Sequence, residues 1–453
     1  MRVSIVTLGC DKNTVDSERY LGALIEHGAV AVPDPADADV VLVNTCGFID
    51  AAKQESIEAI VGAAKLKETA GVQAVIAVGC MVQRHADELR EALPEVDMFI
   101  GAADTDQLVP RLRERGLLDP EDAVHPGVRV YAGNTPHVRY LKLSEGCDHG
   151  CAFCAIPLMR GRHRSFALDD VIREAQLLEM QGAREVNLVA QDLAHYGRDR
   201  RDGSGLPEVL EALARETSIP WIRMMYLYSA GITPRLLEVV AREPRIVRYL
   251  DTPIQHASDA VLQRMRRPER QHTIRDKVAR YREAIPGVAI RTTCIVGFPG
   301  ETDDDFQQLC DFLEEIRFER VGIFTYSPQE GTRAAEMDDD VPESVKRERL
   351  EQLTEIQRGI TEDRYAERLG TRADALVVQG RTARLPWQAD DIDGVTTLDA
   401  DAPAGAIVEV EVTDTDDYDF SASVRATRSL AAPAAEATRA RSLPLASMGA
   451  FGR

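Results

Sequence analysis

The chain has 453 residues, 44% of them hydrophobic, which is enough for about three domains of ordinary size. Its 54 basic and 75 acidic residues leave a formal charge of −21, which argues against a surface built to hold a nucleic acid backbone and suits a basic partner. No apolar run nears the ~18 residues that would span a bilayer, and MRVSIVTLGC lacks the layout of a secretory signal, so a cytoplasmic location without membrane contact is expected.

In that reducing compartment the eight cysteines read as metal ligands or reactive groups rather than as disulfides. The first segment, expected over residues 1–125, has three strand-like runs that each end in a cysteine: RVSIVTLGC at Cys10, ADVVLVNTC at Cys46 and AVIAVGC at Cys80. Helical stretches such as SERYLGALIEHG lie between them, so a parallel α/β sheet is expected. Ligands gather beyond the carboxyl ends of such strands, so cysteines 36 and 34 positions apart are expected to meet in space.

After the linker-like HPGVRVYAGNTP, a second segment over 133–365 offers strands at VRYLKL, REVNLVA, WIRMMYL, VRYLDTPI, AIRTTCIVGF and RVGIFTYS, with helical stretches between. Such repeats predict a complete or partial (β/α) barrel with its chemistry on the loops after the strands. A long charged helix, VPESVKRERLEQLTEIQRGITEDRYAERLG, closes the segment, its charges read as a solvated face. Short alternating runs over 366–432 then predict a small antiparallel β barrel, and residues 433–453 read as a disordered tail.

The first barrel strand leads into SEGCDHGCAFCAIPLMRGRHRS, where Cys147, Cys151 and Cys154 have the spacing CxxxCxxC. Three thiolates can hold three irons of a 4Fe–4S cube and leave the fourth open to a substrate or cofactor. A structural zinc with a distant fourth ligand is the alternative. Cys294, in the apolar strand RTTCIVGF, and Cys310, in FQQLCDFLEEI, read as core residues. GFPGET lacks the ending of a phosphate loop; its Gly297 and Gly300 could admit a cofactor or simply form a tight turn. His256 reads as a hydrogen-bonded structural residue.

The CxxxCxxC barrel resembles the radical S-adenosylmethionine superfamily. With LGCDKNTVDSE, NTCGFID, VGCMVQR, VAQDLAHYG, GFPGET and TYSPQEGT, the chain from residue 1 to about 430 resembles its methylthiotransferase family. The resemblance implies two 4Fe–4S clusters, one on Cys147, Cys151 and Cys154 that cleaves S-adenosylmethionine to a 5′-deoxyadenosyl radical, the other on Cys10, Cys46 and Cys80 that carries the sulfur to be methylated and transferred. It also implies cofactor contacts at Gln191 and Asp192 beyond the second barrel strand, a solvated loop being the alternative, and a TRAM-like terminal barrel. No catalytic residue is assigned beyond the cluster ligands.

NTCGFIDAAKQESIEAI and DTPIQHASDAVLQRMRRP resemble the branch that modifies the β-carbon of an aspartate in small-subunit ribosomal protein twelve, more than the branch acting on isopentenyl-adenosine tRNA. Residues 371–430 carry twelve acidic residues and five arginines, a net −7 that would attract a basic ribosomal protein and repel RNA. An electron donor such as flavodoxin or ferredoxin, and a sulfur donor, are implied as further partners. A non-enzymatic protein with structural metal is the more distant alternative.

Overall fold

The structure, a computed structural model, describes residues 1–118, 129–131 and 135–430. The expected tail 433–453 and part of the linker lie outside the described residues. Among the described residues, no helix is long and apolar enough to cross a membrane.

The amino-terminal strands β1 (Arg2–Thr7), β2 (Val30–Ala31), β3 (Val40–Thr45), β4 (Ala74–Gly79) and β5 (Met98–Gly101) form one parallel sheet in the order β2-β1-β3-β4-β5. Helices α1 (Asp11–Glu26), α2 (Asp50–Thr69), α3 (Cys80–Ala92) and α4 (Leu108–Glu114) cross over between strands or follow them. Separate apolar clusters pack on the two faces of the sheet, one with Leu21, Leu24 and Leu112, the other with Ile60, Ala63 and Val82. Burial on both faces explains why β3 and β4 are nearly continuous apolar runs rather than alternating ones.

The central region has all six expected strands, β6 (Val138–Lys142) and, after a short hairpin of β7 (Ser144–Glu145) with β8 (Arg164–Ser165), β9 (Glu185–Val189), β10 (Trp221–Met224), β11 (Tyr249–Asp251), β12 (Ala289–Val296) and β13 (Arg320–Thr325). Helix α5 (Ile156–Arg160) lies inside the hairpin connection. The strands pair in parallel as β10-β9-β6 and β11-β12-β13, with an isolated bridge between Ile222 and Ile246 joining the halves. The barrel is therefore partial. Whereas β9, β10 and β11 are wholly buried, β12 alternates and the edge strand β13 is half-buried, with Phe324 exposed.

Strands β14 (Arg372–Gln379), β15 (Thr382–Arg384), β16 (Thr396–Leu398), β17 (Ile407–Asp416) and β18 (Asp419–Ser429) close into a barrel. It is not purely antiparallel as expected, because β16 and β18 run in parallel. The reason is topological: the chain crosses from β16 to β17 before the β17–β18 hairpin returns, so β18 meets β16 in the same direction. The long helix Glu343–Ala366 has a packed face as well as a solvated one; Leu353 and Ile360 join the central core, and Tyr365 stacks on Phe420 at 4.4 Å.

This small barrel docks through buried charge. Glu185 accepts from Arg223 at 2.7 Å and pairs with Arg384, while Asp393 accepts from Tyr249 at 2.5 Å and pairs with Arg320 at 3.2 Å. Burial raises the Asp390 carboxyl to about 6, because the nearby Arg384 is shared with Glu185, whose charge opposes ionisation of Asp390. Part of the net −7 read from the sequence is thus enclosed, while Asp374, Asp391, Asp399 and Asp401 are exposed and four more exposed carboxylates, Asp414, Asp416, Asp417 and Asp419, cluster at the β17–β18 turn.

Candidate active site

The carboxyl ends of the adjacent strands β1, β3 and β4 bring Cys10, Cys46 and Cys80 together. Their mutual influence shows the grouping: burial pushes the Cys80 thiol up to about 12, Arg160 pulls it down, and charge on Cys10 or Cys46 pushes it further up. Cys46 is fixed by Ser56, whose Oγ accepts from its N–H at 3.0 Å and donates to its carbonyl at 3.0 Å. Asn13 Nδ2 donates to the carbonyls of Leu8 and Thr45, at 2.7 and 3.2 Å, tying two of the strand ends. Gly9 has φ +90°, and a Cβ there would lie 2.7 Å from Cys46 Cβ, so the close approach needs glycine.

Cys147, Cys151 and Cys154 occupy the loop after β6, at the carboxyl end of the partial barrel. Burial pushes Cys147 up to about 11 and Cys154 up to about 12, and charges on Cys151 and Cys147 push Cys154 further. Gly146, at φ +75°, repeats the device seen at Gly9, since a Cβ would lie 2.1 Å from the Arg162 carbonyl oxygen. The loop is pinned by Cys147 N–H to the Gly161 carbonyl at 3.1 Å and Ala152 N–H to Met265 at 2.9 Å.

Both donor sets fit a 4Fe–4S group. Among the described residues, His149, Asp192 and His195 also bring their ligand atoms within 4.8 Å of one another. Each set offers three thiol sulfurs, soft donors of the kind an iron–sulfur group takes, and bound iron would offset the burial that pushes up Cys46, Cys80, Cys147 and Cys154.

A polar chain runs from the amino-terminal trio to Glu145, two residues before Cys147. Arg160, at the end of α5, donates through Nε to Cys80 Sγ at 3.0 Å, through Nη2 to Asn13 Oδ1 at 2.5 Å and through Nη1 to Asp16 Oδ2 at 2.6 Å. Lys142 pairs with Asp16 and with Glu145 at 2.6 Å, and Gln191 Nε2 donates to Glu145 Oε1 at 2.8 Å. Burial raises the Asp16 carboxyl, but Lys142 and Arg160 outweigh it and hold the group well below the usual carboxylate range. A cavity of about 470 Å³ opens beside this chain, lined by Arg19, Ala102, Arg162, Arg164 and Phe166 as well as by Asp16, Lys142, Glu145 and Arg160.

The residues expected to touch cofactor divide. Gln191 Oε1 is buried without a hydrogen-bond partner, an acceptor that a donor-bearing ligand would satisfy. Asp192, at the same strand end, has partners within the protein: its Oδ1 accepts from Ala194 N–H at 2.9 Å and Tyr228 N–H at 3.1 Å, and its Oδ2 faces His149 Nε2 at 2.7 Å. It fastens the loops after β6, β9 and β10 to one another. Gly297 and Gly300 support the tight-turn reading, with φ +71° and +75°; a Cβ at Gly297 would meet the Lys346 side chain at 2.3 Å, and one at Gly300 would lie 3.3 Å from Arg264. His256 is buried and accepts from Ser258 N–H at 2.9 Å, and Cys294 and Cys310 lie in the central core, as expected.

Comparison with known proteins assigns these regions a class. Residues 2–101 match the Uncharacterized protein family UPF0004, and residues 141–313 match the Radical SAM superfamily, which implies S-adenosylmethionine and a 4Fe–4S cluster. The chain is 46% identical over 410 residues to Ribosomal protein uS12 methylthiotransferase RimO of Anaeromyxobacter sp. (strain K), covering 88% of this chain and 87% of that one. It is 43% identical over 412 residues to the protein of the same name in Desulforudis audaxviator, covering 88% and 91%. The chain belongs to this methylthiotransferase family and is a radical S-adenosylmethionine enzyme, which sets aside the non-enzymatic alternative. The structure of the radical S-adenosylmethionine methyltransferase TsrM from Kitasatospora setae shares its fold, with a TM-score of 0.54 at 13% identity over 71% of this chain and 72% of that one.

Sequence reasoning missed Asn13, Asp16, Lys142, Glu145 and Arg160. Asn13 and Asp16 stand at helical spacing inside DKNTVDSE, a polar run on a helix that must bury a face, which is the one local sign of their role. Nothing local marks Arg160, whose partners Cys80, Asp16 and Asn13 are 80, 144 and 147 positions away.

Proposed function

We propose that this enzyme transfers a methylthio group to the β-carbon of an aspartate in ribosomal protein uS12. Cys10, Cys46 and Cys80 hold one 4Fe–4S cluster and Cys147, Cys151 and Cys154 the other. The observation that carries the reading is the pair of three-thiol sets, with a polar chain Cys80, Arg160, Asp16, Lys142, Glu145 running from the first set to the foot of the loop that bears the second. When bound, each cluster leaves one iron without a protein ligand and, together with S-adenosylmethionine, supplies the one-electron chemistry and the sulfur that substitution at an unactivated carbon requires.

The protein's share is positioning. Arg160 presents an N–H and a positive charge to Cys80 Sγ, which draws electron density from that thiolate and favours its ionised form. Lys142 and Arg160, clamped on Asp16, fix the amino-terminal sheet against the barrel and so set the distance between the thiol sets. Gln191 offers its unpartnered Oε1 to the donor groups of S-adenosylmethionine, and Asp192 keeps the CxxxCxxC loop in place through His149. The acidic β17–β18 turn draws the basic substrate protein in. A low-potential donor of the flavodoxin or ferredoxin type supplies electrons, and a separate sulfur donor renews the transferred sulfur.

The test gives the anaerobically reconstituted enzyme both uS12 and an isopentenyl-adenosine tRNA and measures a methylthio mass gain on each. Gain on uS12 alone is the expected result; gain on the tRNA alone overturns the substrate assignment.

A further inference from the structure

One buried cation beside the amino-terminal thiol set, Lys12, has no salt bridge among the described residues, although Cys10, Asp11 and Asp251 lie near enough for their charges to act on it. Lys12 lies in the first turn of α1, two residues after Cys10, and its Nζ sits 3.0 Å from the centroid of the Tyr226 ring, just past the end of β10. The residue is only 8% exposed, yet it makes no salt bridge or side-chain hydrogen bond among the described residues. Its neighbours are otherwise engaged. Arg160 serves Cys80, Asn13 and Asp16; Lys142 serves Asp16 and Glu145; Arg291 donates to Asp251 at 2.8 Å; Arg267 donates to the Pro253 carbonyl at 2.9 Å. A ring face attracts an ammonium but leaves its N–H donors unpaired, and a buried ammonium without an anion is costly.

The ring beneath Lys12 is itself held in place. Tyr226 has φ +61°, a left-handed conformation unusual for a bulky residue, and is fixed by its N–H to Asp251 Oδ2 at 3.0 Å and its hydroxyl to Asp11 Oδ2 at 3.2 Å. From Asp251, Arg291 leads along β12 to the half-buried edge strand β13, where Phe324 is 53% exposed. Asp11 and Asp251, whose charges act on Lys12, would repel a carboxylate if Lys12 were absent.

We propose that Lys12 receives the side-chain carboxylate of the aspartate that the enzyme modifies, and that the loop bearing it enters along β12 and β13. This rests on the uS12 reading above. Methylthiolation at the β-carbon leaves the carboxylate intact, so a cation holding that group stays paired before and after the reaction while it fixes the adjacent carbon. Lys12 thereby distinguishes aspartate from asparagine.

The experiment measures binding of the reconstituted holoenzyme to recombinant uS12 with either aspartate or asparagine at the modified position. The wild type is expected to favour the aspartate form by about tenfold or more, the scale of one hydrogen-bonded charge pair. Lys12→Met, which keeps a flexible side chain over Tyr226, should lose that preference with wild-type iron content, and Lys12→Arg should retain it. Equal affinities in the wild type, or an undiminished preference in Lys12→Met, overturns the proposal; the wild-type comparison needs no variant to fold. Failure of the function reading is separate, since it shows as no methylthio mass gain on the aspartate form of uS12 whatever the binding ratio.

Discussion

The two cysteine trios reach similar donor chemistry by opposite routes. Cys147, Cys151 and Cys154 fall within one loop, so local chain geometry gathers them once Gly146 permits the turn. Cys10, Cys46 and Cys80 belong to three strands and meet only because β1, β3 and β4 are neighbours in a parallel sheet. A local set can form before the domain is complete, whereas a set built from three strand ends depends on the whole sheet and on the residues that brace it. The bracing differs accordingly: Asn13 and Ser56 tie the strand ends of one trio, while Asp192 and Tyr228 clamp the single loop of the other, with Tyr228 stacked on His149 at 3.9 Å.

The sharpest way to separate them is to delete each. Changing Cys147, Cys151 and Cys154 to Ala should lower the iron of the reconstituted protein from about eight to about four and abolish 5′-deoxyadenosine formation, measured by chromatography under reducing conditions. Continued formation at the wild-type rate would break the assignment. Changing Cys10, Cys46 and Cys80 to Ala should also leave about four irons, but with 5′-deoxyadenosine still produced and no methylthio product detected by mass. Unchanged iron in that variant would show that the strand-end trio holds no cluster.

A smaller effect concerns the clamp between the trios. Asp16→Asn leaves Arg160 and Lys142 buried without their shared carboxylate, and should destabilise the denaturant unfolding of the cluster-free chain by about 3–5 kcal/mol. Because the folded carboxyl titrates below its unfolded value, its contribution is present above about pH 4 and lost as the pH falls below that. The gap between wild type and variant should therefore narrow in acid; a gap independent of pH would mean that the pairing carries none of the stability. The smallest effect lies farthest from both trios. Asp414→Lys with Asp416→Lys should slow association with uS12 by about tenfold at low salt and much less at high salt, with iron content unchanged. These two are chosen because Asp417 has φ +54° and Asp419 accepts from Val395 N–H at 2.8 Å, so changing either would disturb the turn itself.

What the amino-acid sequence determined by itself was whatever depends on short-range pattern. Apolar runs ending in cysteine marked β1, β3 and β4, six strand-like runs marked the partial barrel, and CxxxCxxC marked its thiol set, because periodicity and spacing are local properties of a chain. Only the tertiary structure decided the rest. The parallel seam between β16 and β18 follows from a crossover that no run of residues announces. The net −7 of the terminal barrel divides into an enclosed and an exposed share because Glu185, Tyr249 and Arg320, distant in sequence, face it across the docking surface. The chain from Cys80 through Arg160 to Gln191 likewise joins residues up to 144 positions apart, and Lys12 makes no salt bridge among the described residues, its neighbours Asp11 and Asp251 being engaged with Tyr226 and Arg291. Charges such as these look solvated in a sequence, since burial and pairing are properties of packed neighbours rather than of the residue that carries the charge.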